Sequence, residues 1–70
     1  MKQQISKLVK DLAAGDVIVT KQNARLNVTA VNRGFAVYSD GKLGRIIDYS
    51  ADGKGDWMQL SGGATVFVEA

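Results

Sequence analysis

The sequence predicts a mainly β protein, a five-stranded small barrel or strongly bent antiparallel sheet preceded by a short N-terminal helix. Three observations support this fold class. Residues 16–68 contain short segments rich in β-branched and aromatic residues, which favour strands. Several segments alternate apolar and polar residues, as a strand with one buried face does. Turn sequences separate the segments at the spacing of small all-β domains: Asn32-Arg33-Gly34, Ser39-Asp40-Gly41, the stretch 52–56 and Ser61-Gly62-Gly63.

The length and composition limit what this chain can be. Its 70 residues predict a single domain, with a helix over 1–14 packed on a barrel formed by 15–70. A chain this short buries only about 60% of its unfolded surface, so its stability should be modest. It contains no cysteine and no histidine, which excludes disulfides, thiol nucleophiles, imidazole catalysis and Cys/His metal sites. Hydrophobic residues make up 46% of the chain, so we expect an ordered core.

Residues 2–14 have the pattern of an amphipathic helix. Apolar residues there follow the i, i+3, i+4, i+7 spacing of one helical face, and Gly15 follows as a left-handed cap. A helix of about three turns is marginal alone, so we expect it to cover an open end of the barrel. Dimerisation or docking into a partner would bury the same apolar face. That face consists of Ile5, Leu8, Val9 and Leu12.

Six short segments after Gly15 have the pattern of strands, and we interpret them as a five-stranded barrel. We expect Gly34 to turn the chain, and Asp40-Gly41 is a strong signal for a tight hairpin. Because Ile46 and Ile47 are adjacent, the pattern leaves open which face of their strand is buried, and a bulge would turn both inward. Trp57 is predicted to lie in the core. The segments are 16–20, 24–32, 35–38, 43–49, 57–60 and 64–68, with a long turn over 50–56.

This order of segments resembles that of the SH3-like small barrels. The resemblance covers residues 15–69, where the Gly15-Asp16 pair opens the first strand and a meander with a short connection near its end follows. It implies a fold only, because many unrelated small β proteins share this spacing of strands and turns. No functional residue is carried over from it.

The sequence offers weak candidates for metal, phosphate-loop and catalytic sites. The segment 48–56 contains three carboxylates, but Lys54 stands where a calcium loop needs an oxygen ligand. The glycines at 53, 55, 62 and 63 lack a Walker or dinucleotide motif, so we interpret them as turn residues. No serine has a recognisable activating base. We therefore expect no enzyme, no cofactor and no metal.

A polar row on the second predicted strand is the best candidate for a binding surface. There Arg25, Asn27 and Thr29 share the face opposite the apolar residues. Nearby cations would neutralise phosphates, amides would bond base edges, and an aromatic ring would stack on bases. A merely solvated face is the alternative. The complete set of predicted contacts is Lys21, Arg25, Asn27, Thr29, Arg33, Tyr38, Lys42 and Arg45.

Two functional classes follow from this surface and from the fold. The first is a small non-enzymatic module that binds nucleic acid or a phosphorylated ligand. The net charge of +2 is a mild basic bias, which keeps open a protein-interaction or assembly module acting through the helix or a sheet edge. No apolar stretch approaches the roughly 20 residues of a membrane span. We expect a cytoplasmic protein without a membrane partner, and homo-oligomerisation stays open.

Overall fold

The computed structural model describes residues 3–69, which form one six-stranded antiparallel sheet. The order of strands in the sheet is β1-β6-β2-β3-β4-β5, and the sheet does not close, so β1 and β5 are its edges. The prediction of a mainly β protein is confirmed, with six strands instead of five. The strands are β1 (Gln4–Leu8), β2 (Val17–Val19), β3 (Arg25–Val37), β4 (Leu43–Ala51), β5 (Lys54–Ser61) and β6 (Thr65–Glu69).

The hydrophobic core lies on one face of this curved sheet. A sheet with one apolar face must bury it, and within residues 3–69 the apolar side chains of the strands and of residues 9–12 pack against one another. Half-buried side chains from β3, β5 and β6 pack against the fully buried ones. The buried residues are Val9, Leu12, Ile18, Val28, Ile47 and Val68.

The N-terminal segment is a strand followed by one short turn, so the predicted helix over 2–14 is wrong. β1 pairs antiparallel with β6, and a 3₁₀ helix (Val9–Asp11) follows it; residues 1 and 2 lie outside the described part. A short helix is marginal, whereas strand pairing satisfies the backbone edge of β6. Val9 and Leu12 are buried as the apolar pattern indicated, but Ile5 is exposed. Over residues 3–69 the structure has no helix with the length and hydropathy needed to cross a membrane.

Strand β3 is one long strand, so the predicted turn at Gly34 is also wrong. Two irregularities interrupt its register with β4, one between Val28 and Ala30 and one between Arg33 and Val37. At the second, Gly34 passes so close to β4 that a β-carbon on it would lie 2.5 Å from the carbonyl oxygen of Gly44. Glycine is needed there for close approach and not for a turn.

Strand β5 places Trp57 on the outer face, so the prediction of a core tryptophan is wrong. Met58 pairs with Ile47, which is completely buried, and therefore faces the core. Because side chains alternate along a strand, Trp57 points to the opposite face, where it pairs with Asp48. Its exposure is 56%. The same register shows that Ile47 faces the core and Ile46 does not.

The turn between β4 and β5 is much tighter than the long turn predicted over 50–56. Ala51 pairs with Lys54, which leaves Asp52 and Gly53 as a two-residue loop. Both have positive φ, 52° and 77°, as a type I′ hairpin requires.

The predicted hairpin at Asp40-Gly41 does connect β3 to β4. There the loop has three residues, 39–41.

Candidate functional site: a basic groove

A groove of about 380 Å³ lies between the end of β1, the start of β4 and the β5–β6 turn. Three cationic side chains line it, from Lys10, Lys42 and Arg45. Leu8 and Leu43 supply its apolar surface, and the backbone of residues 62 and 63 completes it. We call this set of seven residues the basic groove. Lys42 and Arg45 belong to the contacts predicted from the sequence, whereas Lys10 does not.

Backbone hydrogen bonds of the β5–β6 turn hold Lys10 at the groove. The completely buried Val9 donates its N–H to the carbonyl of Ala64 at 2.9 Å, which anchors the 3₁₀ helix to the turn. The N–H of Lys10 then donates to the carbonyl of Gly62 at 3.3 Å. Lys10 is exposed, so its ammonium group is free to reach a ligand in the groove. No sequence signal relates Lys10 to Arg45, because the pairing of β1 with β6 creates their proximity.

The two glycines of the turn shape the groove and do not cradle an anion. The N–H of Gly62 donates to the carbonyl of Leu43 at 3.1 Å, and the N–H of Gly63 donates to Ser61 Oγ at 3.2 Å. Both donors are therefore already used. A β-carbon on Gly62 would lie 3.9 Å from Arg45 Cγ and Nε, so the stem of Arg45 lies against this glycine. Anion binding in the groove depends on the side-chain cations.

Asp40 is an acidic residue beside the groove, since a β-carbon on Gly63 would lie 2.9 Å from Asp40 Oδ2, and its carboxylate already accepts hydrogen bonds. Ser61 Oγ donates to Asp40 Oδ2 at 2.6 Å, and the N–H of Lys42 donates to Asp40 Oδ1 at 2.9 Å. The hydrogen bond from Ser61, followed by that from Lys42, lowers the pKa of Asp40 below its ordinary value. Asp40 is therefore ionised at neutral pH. Three cations against one carboxylate leave the groove with an excess of positive charge.

Arg33 adds a fourth cation beside the groove. Arg33 of β3 and Arg45 of β4 are direct cross-strand partners, so their side chains lie on the same face. Like charges directly opposite each other destabilise a sheet by up to about 1 kcal/mol. Within residues 3–69, none of Lys10, Arg33, Lys42 and Arg45 has an ion pair or a side-chain hydrogen bond. The charge of Lys42 acts on Asp40, whose pKa it helps to lower, and the remaining positive charge would be stabilised by a bound anion.

The predicted polar row does not form one surface with these cations. Val28 and Val31 both face the core, because they pair with Tyr49 and Ile47 of β4. Two residues three positions apart face the same side of a strand only if an extra residue lies between them, and Thr29 is that residue. The irregularity therefore reverses the faces taken by the residues that follow it. As a result Arg33 lies on the face opposite to that of Arg25 and Asn27, about 26 Å along the strand from Arg25.

The remaining predicted contacts have other partners or other places. Arg25 forms an ion pair with Glu69 at 2.6 Å, so its charge is neutralised. Asn27 and Thr29 are exposed near it. Lys21 lies at a separate groove of about 510 Å³, lined mainly by apolar side chains such as Leu26 and Met58.

Tyr38 belongs to the packing of the β3–β4 hairpin. Its hydroxyl donates to the carbonyl of Gln59 at 2.9 Å. Its ring lies against Gly44, where a β-carbon would be 2.8 Å from Tyr38 Cε1. The predicted stacking residue thus has structural contacts of its own.

In the part of the chain from 3 to 69, no three acidic residues are close enough together to hold a metal ion.

Comparison with known proteins adds no family to this description. No protein-family model matches the chain, and no curated protein matches it significantly.

Proposed function

We propose that this protein is a small non-enzymatic module that binds nucleic acid or another phosphorylated ligand in its basic groove. The observation that carries the proposal is the cluster of Lys10, Lys42 and Arg45, with Arg33 beside it, none of which forms an ion pair with an acidic side chain of the described residues. Solvated charges are usually scattered and of mixed sign. Three cations that line one groove, with a fourth beside it, instead match the spaced charges of a phosphate chain.

The fold and the expected compartment are part of the same proposal. The order of segments along the sequence resembles that of SH3-like barrels, and in the sheet β2-β3-β4-β5 form a meander with β6 returning beside β2. We propose that the curved sheet is a small open barrel of that kind. We also retain the cytoplasm, where nucleic acid is accessible, as the expected location.

The salt dependence of binding tests the proposal. Fluorescence anisotropy with a labelled oligonucleotide should show an affinity that falls steeply with salt, because each phosphate contact releases counterions. With four cations engaged, the slope of log K against log salt should be about −3 for a single strand. Binding that does not depend on salt, or no binding at low salt, would contradict the proposal.

Charge-removing variants locate the binding surface. Lys10→Gln, Arg33→Gln and Lys42→Gln should each weaken binding and reduce the salt slope by roughly 1, because each removes one phosphate contact. Lys54→Gln is the matched control, since Lys54 is an exposed cation beside the β4–β5 turn, about 20 Å along β4 from Arg45. An equal loss of affinity in the control would indicate nonspecific attraction to the whole protein.

A second candidate function is assembly through a sheet edge. Strands β1 and β5 are open edges, and β5 carries the exposed Trp57. Such an edge can add a strand from another chain. Light scattering at high protein concentration decides this: an oligomer would favour assembly, and a strict monomer would argue against it. The N-terminal segment considered for this role as a helix forms, in its described residues, β1 and a 3₁₀ helix.

A further inference from the structure

We propose that the ligand of the basic groove is a single-stranded nucleic acid and that the ring of Phe35 stacks on one of its bases. The inference rests on the proposed function, since the cations would hold the phosphates. It adds the recognition of bases, which a phosphate-binding groove alone does not provide.

The end of β3 presents a row of exposed side chains on the face of the groove. Arg33 pairs with Arg45 and Val37 pairs with Leu43, and both partners line the groove. Along residues 33–37 exposure alternates, with residues 33, 35 and 37 exposed and the two between them half-buried. Phe35 is thus the middle exposed residue of a segment whose two ends, Arg33 and Val37, both pair with residues that line the groove.

The position of Gly34 supports this orientation independently. A β-carbon on Gly34 would point at Gln59 Oε1, and Gln59 is on the outer face because Met58 beside it faces the core. We therefore place the ring of Phe35, the next residue, on the side of the strand away from Gln59, where the side chain of Arg45 lies. At 77% exposure, Phe35 contributes little to the packing of the core.

The backbone that carries Phe35 is held in place. Gln59 Oε1 accepts hydrogen bonds from the N–H of Phe35 at 3.0 Å and from the N–H of Ala36 at 3.3 Å. The side chain of Gln59 reaches these donors across Gly44, where a β-carbon would collide with it. An exposed ring on a fixed backbone loses little entropy on binding, which favours its use as a stacking surface.

This arrangement favours a single strand over a duplex or a free phosphate. Bases in a duplex are stacked on each other and offer no free face to a protein ring, whereas those of a single strand do. A free phosphate would use the cations but not the ring. An exposed aromatic residue beside unpaired cations is the combination that sequence-tolerant single-strand binders use.

The experiment compares two labelled probes of about ten nucleotides, an oligothymidylate and an abasic strand with the same number of phosphates. The unmodified protein should bind the oligothymidylate at least about fivefold more tightly, because stacking adds to the phosphate contacts. Phe35→Ala and Phe35→Leu should remove this difference, and Phe35→Trp should restore it. Phe67→Ala is the control, since Phe67 is 57% exposed but pairs with Val19 at the other groove.

The outcomes separate this inference from the function on which it rests. If Phe35→Ala leaves the preference for bases intact, or weakens both probes equally, the stacking role is wrong while phosphate binding stands. Tighter binding of a duplex than of the single strand also overturns it. If neither probe binds the unmodified protein at low salt, the proposed function fails as well. The thermal midpoint of each variant should equal that of the unmodified protein, since none of these substitutions touches the core.

Discussion

The contact between Gly34 and Gly44 lets β3 and β4 approach where Gln59 crosses between them. Neither residue has a positive φ, so the requirement for glycine is steric and not conformational. A side chain on Gly34 would displace Gln59 from the two N–H groups that it caps, and it would meet backbone that cannot yield.

We therefore expect Gly34→Ala to lower the free energy of unfolding by about 1–3 kcal/mol, the usual cost of overpacking. Gly55→Ala is the matched control, because the closest atom to its β-carbon would be the Tyr49 carbonyl at 4.0 Å. That substitution should be neutral or slightly stabilising in a strand. Urea unfolding measures both. Equal stability of the two variants would show that β3 and β4 can separate at Gly34 without cost.

The exposure of Trp57 leads to a second prediction. Trp57→Ala should fold and lose about 1 kcal/mol or less, since the side chain is 56% exposed and pairs only across the outer face. Ile47→Ala, at a completely buried position, should lose about 2–5 kcal/mol. Urea unfolding followed by far-ultraviolet circular dichroism compares them. A larger loss for Trp57→Ala would mean that another surface buries the indole.

At the scale of elements, two carboxylates connect turns to distant strands. Asp40 of the β3–β4 turn accepts from Ser61 of β5, which lowers its pKa. Burial raises the pKa of Asp16, but the hydrogen bonds from Ala13 N–H and from Lys7, together with the Lys7 charge, lower it overall. In both cases the ionised form is favoured in the folded protein.

This linkage predicts how stability responds to acid. Each group has a lower pKa in the folded protein than its unfolded value near 3.8. Its contribution to the free energy of unfolding is therefore complete above the unfolded pKa and is lost as the pH falls through the folded pKa. The free energy of unfolding should thus decrease below about pH 4. In the double variant Asp16→Asn, Asp40→Asn this decrease should be shallower, as measured by urea unfolding from about pH 2.5 to 6. An unchanged decrease would assign acid sensitivity to other carboxylates.

The elements also show how far local pattern predicts structure. Alternation and turn residues located the five strands after Gly15 to within a few residues but divided β3 at Gly34, because both signals depend on neighbouring residues alone. The pattern failed in the N-terminal segment. Its apolar residues have the spacing of a helical face, but they lie in β1 and in and after the 3₁₀ helix. Pairing with β6 decided the outcome, and no local signal reports that pairing.

At the scale of the whole molecule, the open sheet creates both grooves. The basic groove combines residues from the N-terminal turn, from β4 and from the β5–β6 turn, which meet because β6 lies between β1 and β2. Of the four cations in or beside this groove, the contacts predicted from the sequence included Arg33, Lys42 and Arg45. The prediction grouped them, however, with the polar row of strand β3 at positions 25, 27 and 29. The irregularity at Thr29 separates these two groups onto opposite faces.

The sequence by itself determined that this chain forms strands, where most of them begin and end, and that Cys and His chemistry is absent. These properties follow from composition and from contacts between near neighbours. Only the tertiary structure decided which segment pairs with β6, which way Trp57 faces, and which cations share a groove. Each of these depends on the register between strands distant in sequence, where one inserted residue reverses every side chain that follows.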